Sequence, residues 1–395
     1  MNPELQFDLD SPHAGWQKLS DIGLPPEPLF EQILFLRGYE FSSNIYLFTT
    51  GGDGLTLVDT GNDYTAFLDL GRLGFKLTDV RRIVLTHGHY DHSMGMIEVL
   101  RSHAPGTGGF ELVMHEAGPR QFKELAADFG LVLRQLRGGE RIELGGRGWE
   151  VIHTPGHTVD SICIHDAVSR TAFTGDTVLP HAMAEPDRKA GGSLQYYLGS
   201  VRELLKNDIA NVLPGHGAPV AADGRSVIEQ TYESLMLKVI GVEKQTSWIN
   251  GAMELAQRGL LDEALFCCNR QVALDPGSPK AWQLKLMCLN DLGRFQEALE
   301  AVEHMSNTVP PGSAPVFVPI AKGYALMGLG KYEDSVGSFD AALAIDPSSK
   351  DAQVYKGMAL YLAGRRDEAM DIESFRNEFI GRFKEEIAKR RSPPS

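Results

Sequence analysis

The run Arg82-Ile83-Val84-Leu85-Thr86-His87-Gly88-His89-Tyr90-Asp91-His92 limits what this chain can fold into more than any other segment. Its first four residues form a short apolar stretch that reads as a buried strand, and the segment from Ser93 to Ser102 reads as a helix. Three imidazoles and a carboxylate are thereby concentrated on a strand-to-helix turn, where side chains can converge on a cavity. A solvated turn has no need of that composition, whereas zinc-type cations are bound by it.

Three further apolar stretches end in the same way. Trp149 to Ile152 leads to His153-Thr154-Pro155-Gly156-His157. Thr171-Ala172-Phe173-Thr174-Gly175 leads to Asp176, and Asn211-Val212-Leu213-Pro214-Gly215 leads to His216. A lone histidine after Pro-Gly is an ordinary loop residue, but four such strand ends together point to one shared metal centre. Neutral imidazoles and carboxylates suit zinc first, and iron or manganese as well. Two such ions about 3.5–4 Å apart can share a water and lower its pKa towards neutrality, giving a bridging hydroxide as nucleophile. Asp91 is placed to accept or return a proton as the catalytic carboxylate. No Gly-x-Ser-x-Gly run competes, and none of the four cysteines has a histidine beside it.

These motifs resemble the metallo-β-lactamase superfamily: His-x-His-x-Asp-His at 87–92, then His157, Asp176 and His216 in the family's order, with Leu57-Val58-Asp59-Thr60-Gly61 matching a further strand-end motif. The resemblance covers residues 1–222 and implies an α/β fold, an αββα sandwich of two sheets with helices outside. It also implies two divalent metal ions. His87, His89 and His157 would hold one, Asp91, His92 and His216 the other, and Asp176 would bridge them.

The chain has 12 histidines, of which this set uses five. His103, at the end of the helix after the motif, suits a helix C-terminus. His115 and His165 are expected as hydrogen-bonded structural groups in or beside strands. His153 is expected to support a ligand, since a ligating imidazole needs a partner for its other nitrogen. His181, five residues after Asp176, falls on a loop expected to border a substrate pocket, and Tyr196, with Tyr197, begins a helical stretch that flanks it.

After Ala222 the strand-like pattern stops. Residues 223–248 read as a helical connector, since they lack a Gly/Ser/Pro-rich stretch. From residue 249 a repeat appears: Gly259-Leu260-Leu261-Asp262-Glu263-Ala264 recurs from Gly293, Gly330 and Gly364, offsets of 34, 37 and 34 residues. Pro276, Pro310 and Pro347 follow with the same spacing, and the extra residues are expected in Pro310-Pro311-Gly312-Ser313. Residues 249–391 resemble a tetratricopeptide-repeat domain, an all-α solenoid of stacked helix pairs. The last unit lacks the closing proline and reads as a cap, Arg382 to Arg391 as charged and amphipathic, and Ser392-Pro393-Pro394-Ser395 as a frayed end. The resemblance implies a protein partner, with self-association through the repeats as the alternative.

Charge and cysteine content narrow the rest. The formal net charge is −14. Residues 1–220 carry 18 Lys/Arg against 28 Asp/Glu, and the remainder 20 against 24. Acidic balance in both parts argues against long nucleic acid as a partner, because that binding rests on cations neutralising phosphates. Cys163, Cys267, Cys268 and Cys288 show no paired spacing and fall in apolar stretches, as buried free thiols do in a reducing compartment. The acidic N-terminus lacks a signal-peptide pattern, and no run of about 18 apolar residues suggests a membrane span. A cytoplasmic protein is expected, with no membrane association.

Departures within the superfamily narrow the substrate. Asp176 stands where the zinc β-lactamases commonly carry cysteine, and His89 where flavodiiron proteins carry glutamate. The segments around His157 and Asp176 resemble the glyoxalase II-like branch, and Tyr197 to Leu205 running into Leu213-Pro214-Gly215-His216-Gly217 resembles the small single-domain hydrolases. That implies hydrolysis of a small-molecule ester, thioester or lactone. A phosphodiesterase or ribonuclease is the second reading, and a repeat-based adaptor with secondary hydrolysis the third.

Overall fold

The structure is a computed structural model that describes residues 15–39, 41–50, 54–62, 65–68, 70–71, 73–103, 109–240, 247–309 and 316–381. Two compact units divide at Val239/Ile240. Expectations for the Pro310–Ser313 turn, for Arg382 to Arg391 and for the final four residues lie outside the described residues. Among the described residues, no helix is long and apolar enough to cross a membrane.

The first unit is built on two sheets. One holds β1 (Gln17–Lys18), β2 (Ile33–Leu36), β3 (Ile45–Phe48), β4 (Leu55–Val58), β5 (Val80–Val84), β6 (Glu111–His115) and β7 (Val132–Leu136), in sequence order. It is antiparallel from β1 to β4 and parallel from β4 to β7. The other runs β12-β11-β10-β9-β8, from β8 (Arg141–Leu144), β9 (Arg147–His153), β10 (Ile162–Asp166), β11 (Thr171–Gly175) and β12 (Asn211–Pro214); only the β11/β12 pair is parallel. Helices α1 (Thr65–Leu68), α2 (Tyr90–Ser93), α3 (Met96–Ser102) and α4 (Arg120–Phe129) accompany the first sheet, and α5 (Leu194–Leu204) and α6 (Gly224–Ile240) follow the second.

The sheets meet through aromatic side chains. Phe48 of β3 contacts Trp149 of β9 and Phe173 of β11 at ring-centroid distances of 6.1 and 5.9 Å, and Trp149 and Phe173 lie 5.2 Å apart. Tilted and edge-on pairs of this kind contribute about 0.5–1.5 kcal/mol each beyond the area they bury. The Trp149 indole donates to the Leu144 carbonyl, so burying it strands no polar group. A second cluster, with Leu47, Leu57, Ile83 and Leu112, lies on the other face of the first sheet against Met96, Val99, Phe122 and Ala126 of α3 and α4. The result is the αββα layering, and it places the C-terminal ends of β4, β5, β9, β11 and β12 along one edge.

The helix expected over Ser93 to Ser102 is split into α2 and α3. At the break, Gly95 packs so closely on the Thr60 carbonyl that a Cβ would come within 2.0 Å of it, and its N–H donates to Gly61.

The second unit is helical. Its pairs are α7/α8 (Trp248–Gln257, Leu261–Leu274), α9/α10 (Pro279–Asp291, Phe295–Thr308), α11/α12 (Phe317–Gly328, Tyr332–Ile345) and α13/α14 (Lys350–Leu362, Arg366–Asp371), and residues 373–381 are helical again. Each of the four repeat glycines ends a first helix with a left-handed backbone, φ +74° at Gly259, +70° at Gly293, +75° at Gly330 and +86° at Gly364, a conformation that costs glycine little. Ala264, Ala298, Ser335 and Ala369, five residues later in each unit, have no solvent exposure. The Ser335 hydroxyl donates to the Gly323 carbonyl 2.7 Å away, which lets a polar residue occupy the position.

Close packing between helices makes two glycines of this unit respond oppositely to the same change. A Cβ at Gly357 would fall 2.3 Å from Phe375, whereas one at exposed Gly337 would meet nothing within 4 Å. Gly357→Ala is therefore expected to destabilise the protein by about 1–3 kcal/mol. Gly337→Ala should stabilise it by about 0.5–1 kcal/mol. Denaturant unfolding monitored on the repeat unit distinguishes the two; equal shifts would contradict the packing described.

Candidate metal centre

Every expected ligand lies just beyond a strand end. His87, His89, Asp91 and His92 follow β5, His157 follows β9, Asp176 follows β11 and His216 follows β12. Their polar atoms form two groups. His87 Nε2 and His157 Nε2 lie 3.1 and 2.9 Å from His89 Nδ1. His216 Nε2 lies 3.0 Å from Asp91 Oδ2, and His92 Nε2 lies 3.8 Å from the same oxygen. Asp176 reaches both groups: its Oδ2 is 3.7 Å from His157 Nε2 and 3.6 Å from His216 Nε2, and its Oδ1 is 3.3 Å from His92 Nε2. Gly215 backs this cluster, and a Cβ there would fall 2.4 Å from Asp176 Oδ1 and 2.6 Å from the His92 ring.

The outward-facing nitrogens set the tautomers. His157 Nδ1 donates to the Glu185 carbonyl over 2.8 Å, and a carbonyl can only accept. His89 Nε2 donates to Asp187 Oδ2 over 3.2 Å, and His92 Nδ1 to Asp59 Oδ2 over 2.8 Å. The Thr86 hydroxyl gives its proton to Asp59, so it can accept from His87 Nδ1 at 3.3 Å. In all four rings the outer nitrogen carries a proton; in His87, His89 and His157 this leaves a lone pair inward, and His92 offers one once Nε2 gives up the proton that Asp176 and Asp59 favour. Such partners fix ring orientation and raise ligand basicity. Asp59 itself has φ +55° and also accepts from the Thr86 N–H, so one strained carboxylate braces two ligand positions.

Electrostatics agrees with cation binding. Burial, reinforced by neighbouring His92, pushes His87 well below its usual pKa, and burial also lowers His157. Both are thus neutral, as ligation requires. Burial alone would raise Asp176, but the imidazoles of His92, His87 and His216 together hold the carboxyl well below the usual range. Burial disfavours charge on His92, yet Asp176 and Asp59 on two sides raise it well above its ordinary value. These carboxylates therefore demand positive charge at His92 Nε2. That atom and Asp176 Oδ1 are buried without a completed hydrogen bond, and three nitrogen lone pairs meet around His89. Protein groups alone leave these atoms unpaired, and metal cations would pair them.

The remaining expectations divide. His103 ends α3 with Nδ1 at 2.9 Å from the Val99 carbonyl. His115 accepts from the Ala117 N–H. His165 differs from expectation: it is buried in β10, and neither ring nitrogen completes a hydrogen bond. His153 also differs. It bonds to the Val159 carbonyl and stacks on His115, with centroids 3.9 Å apart, because strand alternation turns it away from the ligands. The supporting partners are instead Thr86, Asp59, Asp187 and the Glu185 carbonyl. His181 is exposed and lines a cavity with α6, in a left-handed conformation of φ +61°. Tyr196 is 60% exposed, whereas its neighbour Tyr197 is fully buried and donates to the carbonyls of Asp176 and Thr177.

Ser43 and Asn44 carry no recognisable ligand spacing, yet they brace the site. The Ser43 N–H donates to the Asp91 carbonyl and the Asn44 N–H to that of Gly215. The Asn44 amide also donates to the carbonyls of Pro214 and Gly217. All four cysteines are buried and free, and none belongs to the cluster.

Residues 38–216 match the Metallo-beta-lactamase superfamily, and residues 320–374 match the Tetratricopeptide repeat. Protein Mb2612c of Mycobacterium bovis is 33% identical over 158 residues, 34% of this chain and 68% of that protein. The atrochrysone carboxyl ACP thioesterase AgnL7 of Paecilomyces divaricatus is 27% identical over 209 residues, 50% of this chain; the match spans only 60% of that thioesterase's length. Among solved structures, the metallo-beta-lactamase family protein TTHA1429 of Thermus thermophilus is similar at 23% identity and a TM-score of 0.41, covering 70% of this chain and 93% of that one. The chain belongs to the metallo-β-lactamase superfamily and carries tetratricopeptide repeats after that domain.

If the close approach of Gly215 positions Asp176 and His92, Gly215→Ala should leave fewer than two metal ions per chain while circular dichroism stays native. Elemental analysis checks this, and an undiminished metal content would contradict it.

Proposed function

We propose that this protein is a dinuclear-metal hydrolase of a small ester, thioester or lactone, with thioesters the first class to test. The observation that carries the reading is the inward aim of four imidazole nitrogens around a carboxylate that spans both ligand groups. His87, His89 and His157 would hold one divalent cation, Asp91, His92 and His216 the other, and Asp176 would bridge. Zinc suits these ligands first, with iron and manganese also compatible. When bound, such ions lower the pKa of water and polarise a carbonyl.

The protein's own groups supply the rest. Burial would raise Asp91, but its bond to His216 together with the charges of His92 and His216 lowers its pKa, so the carboxylate is ionised at neutral pH. Its side chain is 29% exposed, so it can take a proton at Oδ and return it to a leaving group. Asp59, Asp187 and the Glu185 carbonyl hold the rings in the ligating tautomer through turnover. The thioesterase named among the relatives supports the substrate class, as does the acidic balance of the chain. The repeats supply a separate surface for a protein partner or a second copy of the chain.

The test is a panel of thioesters, lactones, esters and phosphodiesters with metal-loaded protein and a His87→Ala control. Carbonyl substrates should be turned over, with activity falling by at least about a hundredfold in the variant. Turnover of phosphodiesters alone would replace this reading with the phosphodiesterase one.

A further inference from the structure

The loop that leaves the bridging aspartate bows away from α6 and encloses a recess of about 320 Å³. Its lining includes Leu179, His181 and Met183 from the loop and Val227, Gln230 and Ser234 from α6. The volume is at the lower end of the range of about 300–1,000 Å³ spanned by ligand pockets.

Both ends of this loop are fixed to the metal centre. At its start, Tyr197 holds the Asp176 and Thr177 carbonyls, and the Thr174 hydroxyl donates to the Val178 carbonyl over 2.8 Å. Pro180 then abuts the backbone beside His216, since a Cβ at Gly217 would fall 3.0 Å from its ring. Further on, the Glu185 carbonyl accepts from His157, and its carboxylate is ion-paired to Lys238 of α6. The middle of the loop, with Leu179, His181 and Met183, lines the recess. His181 is at this point, in a backbone conformation that costs a non-glycine residue energy and is enriched at ligand sites.

The polar groups that α6 gives the recess offer more acceptors than donors. The Ser234 hydroxyl donates to the Gln230 carbonyl, and the Gln230 amide nitrogen donates to Ser226, which leaves the hydroxyl lone pairs and Gln230 Oε1 as acceptors. Among the described residues no lysine or arginine lines it, and nearby Lys238 is bonded to Glu185; the imidazole of His181 is the one titratable side chain in the lining. An anionic group would find no permanently cationic side chain among these residues. Apolar Leu179, Met183 and Val227 complete a wall suited to methylene chain interrupted by N–H donors.

We propose that this recess is the subsite for the leaving group of the substrate, and that the leaving group is an uncharged, amide-bearing thiol arm. The inference rests on the hydrolase reading and specifies the side of the substrate that departs. Ser234 and Gln230 are specificity residues; neither belongs to the metal centre.

Full-length, metal-loaded protein is compared on one acyl group carried by N-acetylcysteamine and by an alkyl thiol of equal length. Ser234→Trp, which fills the recess, should raise KM for both thioesters by about tenfold while leaving a short phenyl ester unaffected. Gln230→Leu should raise KM roughly fivefold for the amide-bearing thioester alone, with kcat unchanged. Equal effects of Gln230→Leu on both thioesters, or no effect of Ser234→Trp, would overturn the proposal. Pantetheine binding, followed by calorimetry, separates the two layers of the argument. If the wild type hydrolyses none of the carbonyl substrates but binds pantetheine and Ser234→Trp does not, the hydrolase reading fails, and with it the leaving-group role, while the recess keeps its ligand class. Equal pantetheine binding by both proteins, or by neither, overturns the subsite.

Discussion

Four histidines, three of them buried and His89 half-buried, depend on hydrogen bonds made on their far sides. Asp59, Asp187, Thr86 and the Glu185 carbonyl each engage the outer nitrogen of one ring, and each turns the inner nitrogen towards the cluster. A lone pair buried among other lone pairs is unfavourable unless something electron-poor lies between them. The same arrangement therefore stores an unmet demand for cations and orients the groups that meet it. Much of the first unit serves this end. The Phe48–Trp149–Phe173 contacts lock the sheets face to face, which keeps five strand ends on one edge.

The bracing elements come from far apart in sequence. Asp59 acts from the end of β4 on residues after β5, and residues 43 and 44 bond to the loops of both Asp91 and His216. The loop from Asp176 to Asp187 supports the ligands His157 and His89 and also walls the recess beside α6. A single loop thus connects the fit of a substrate to the geometry of the metal centre. Mutations along it are expected to alter both together unless they fall in its unattached middle.

The cluster of candidate ligands is legible in the sequence because metal chemistry uses few residue types and the strand-end spacing is rigid. The repeats were legible because glycine at a left-handed helix end and a small buried residue five positions later recur in register. Hydrogen-bond partners were not legible. Asp187 is one acidic residue among many, and its role arises from a turn that brings it beside a histidine 98 positions away. The Glu185 contribution comes from its backbone carbonyl, which leaves no trace in residue identity. His153 looked like a partner because it is close in sequence to His157. Alternation along β9 sends it instead onto His115, and that outcome depends on register rather than composition.

Anomalous diffraction from crystals of the purified full-length protein tests the central claim most directly. The account predicts two transition-metal peaks about 3.5–4 Å apart. One should lie within bonding distance of His87, His89 and His157, the other of Asp91, His92 and His216, with Asp176 between them. A well-ordered site with no metal peak, or with the seven side chains dispersed, would contradict it.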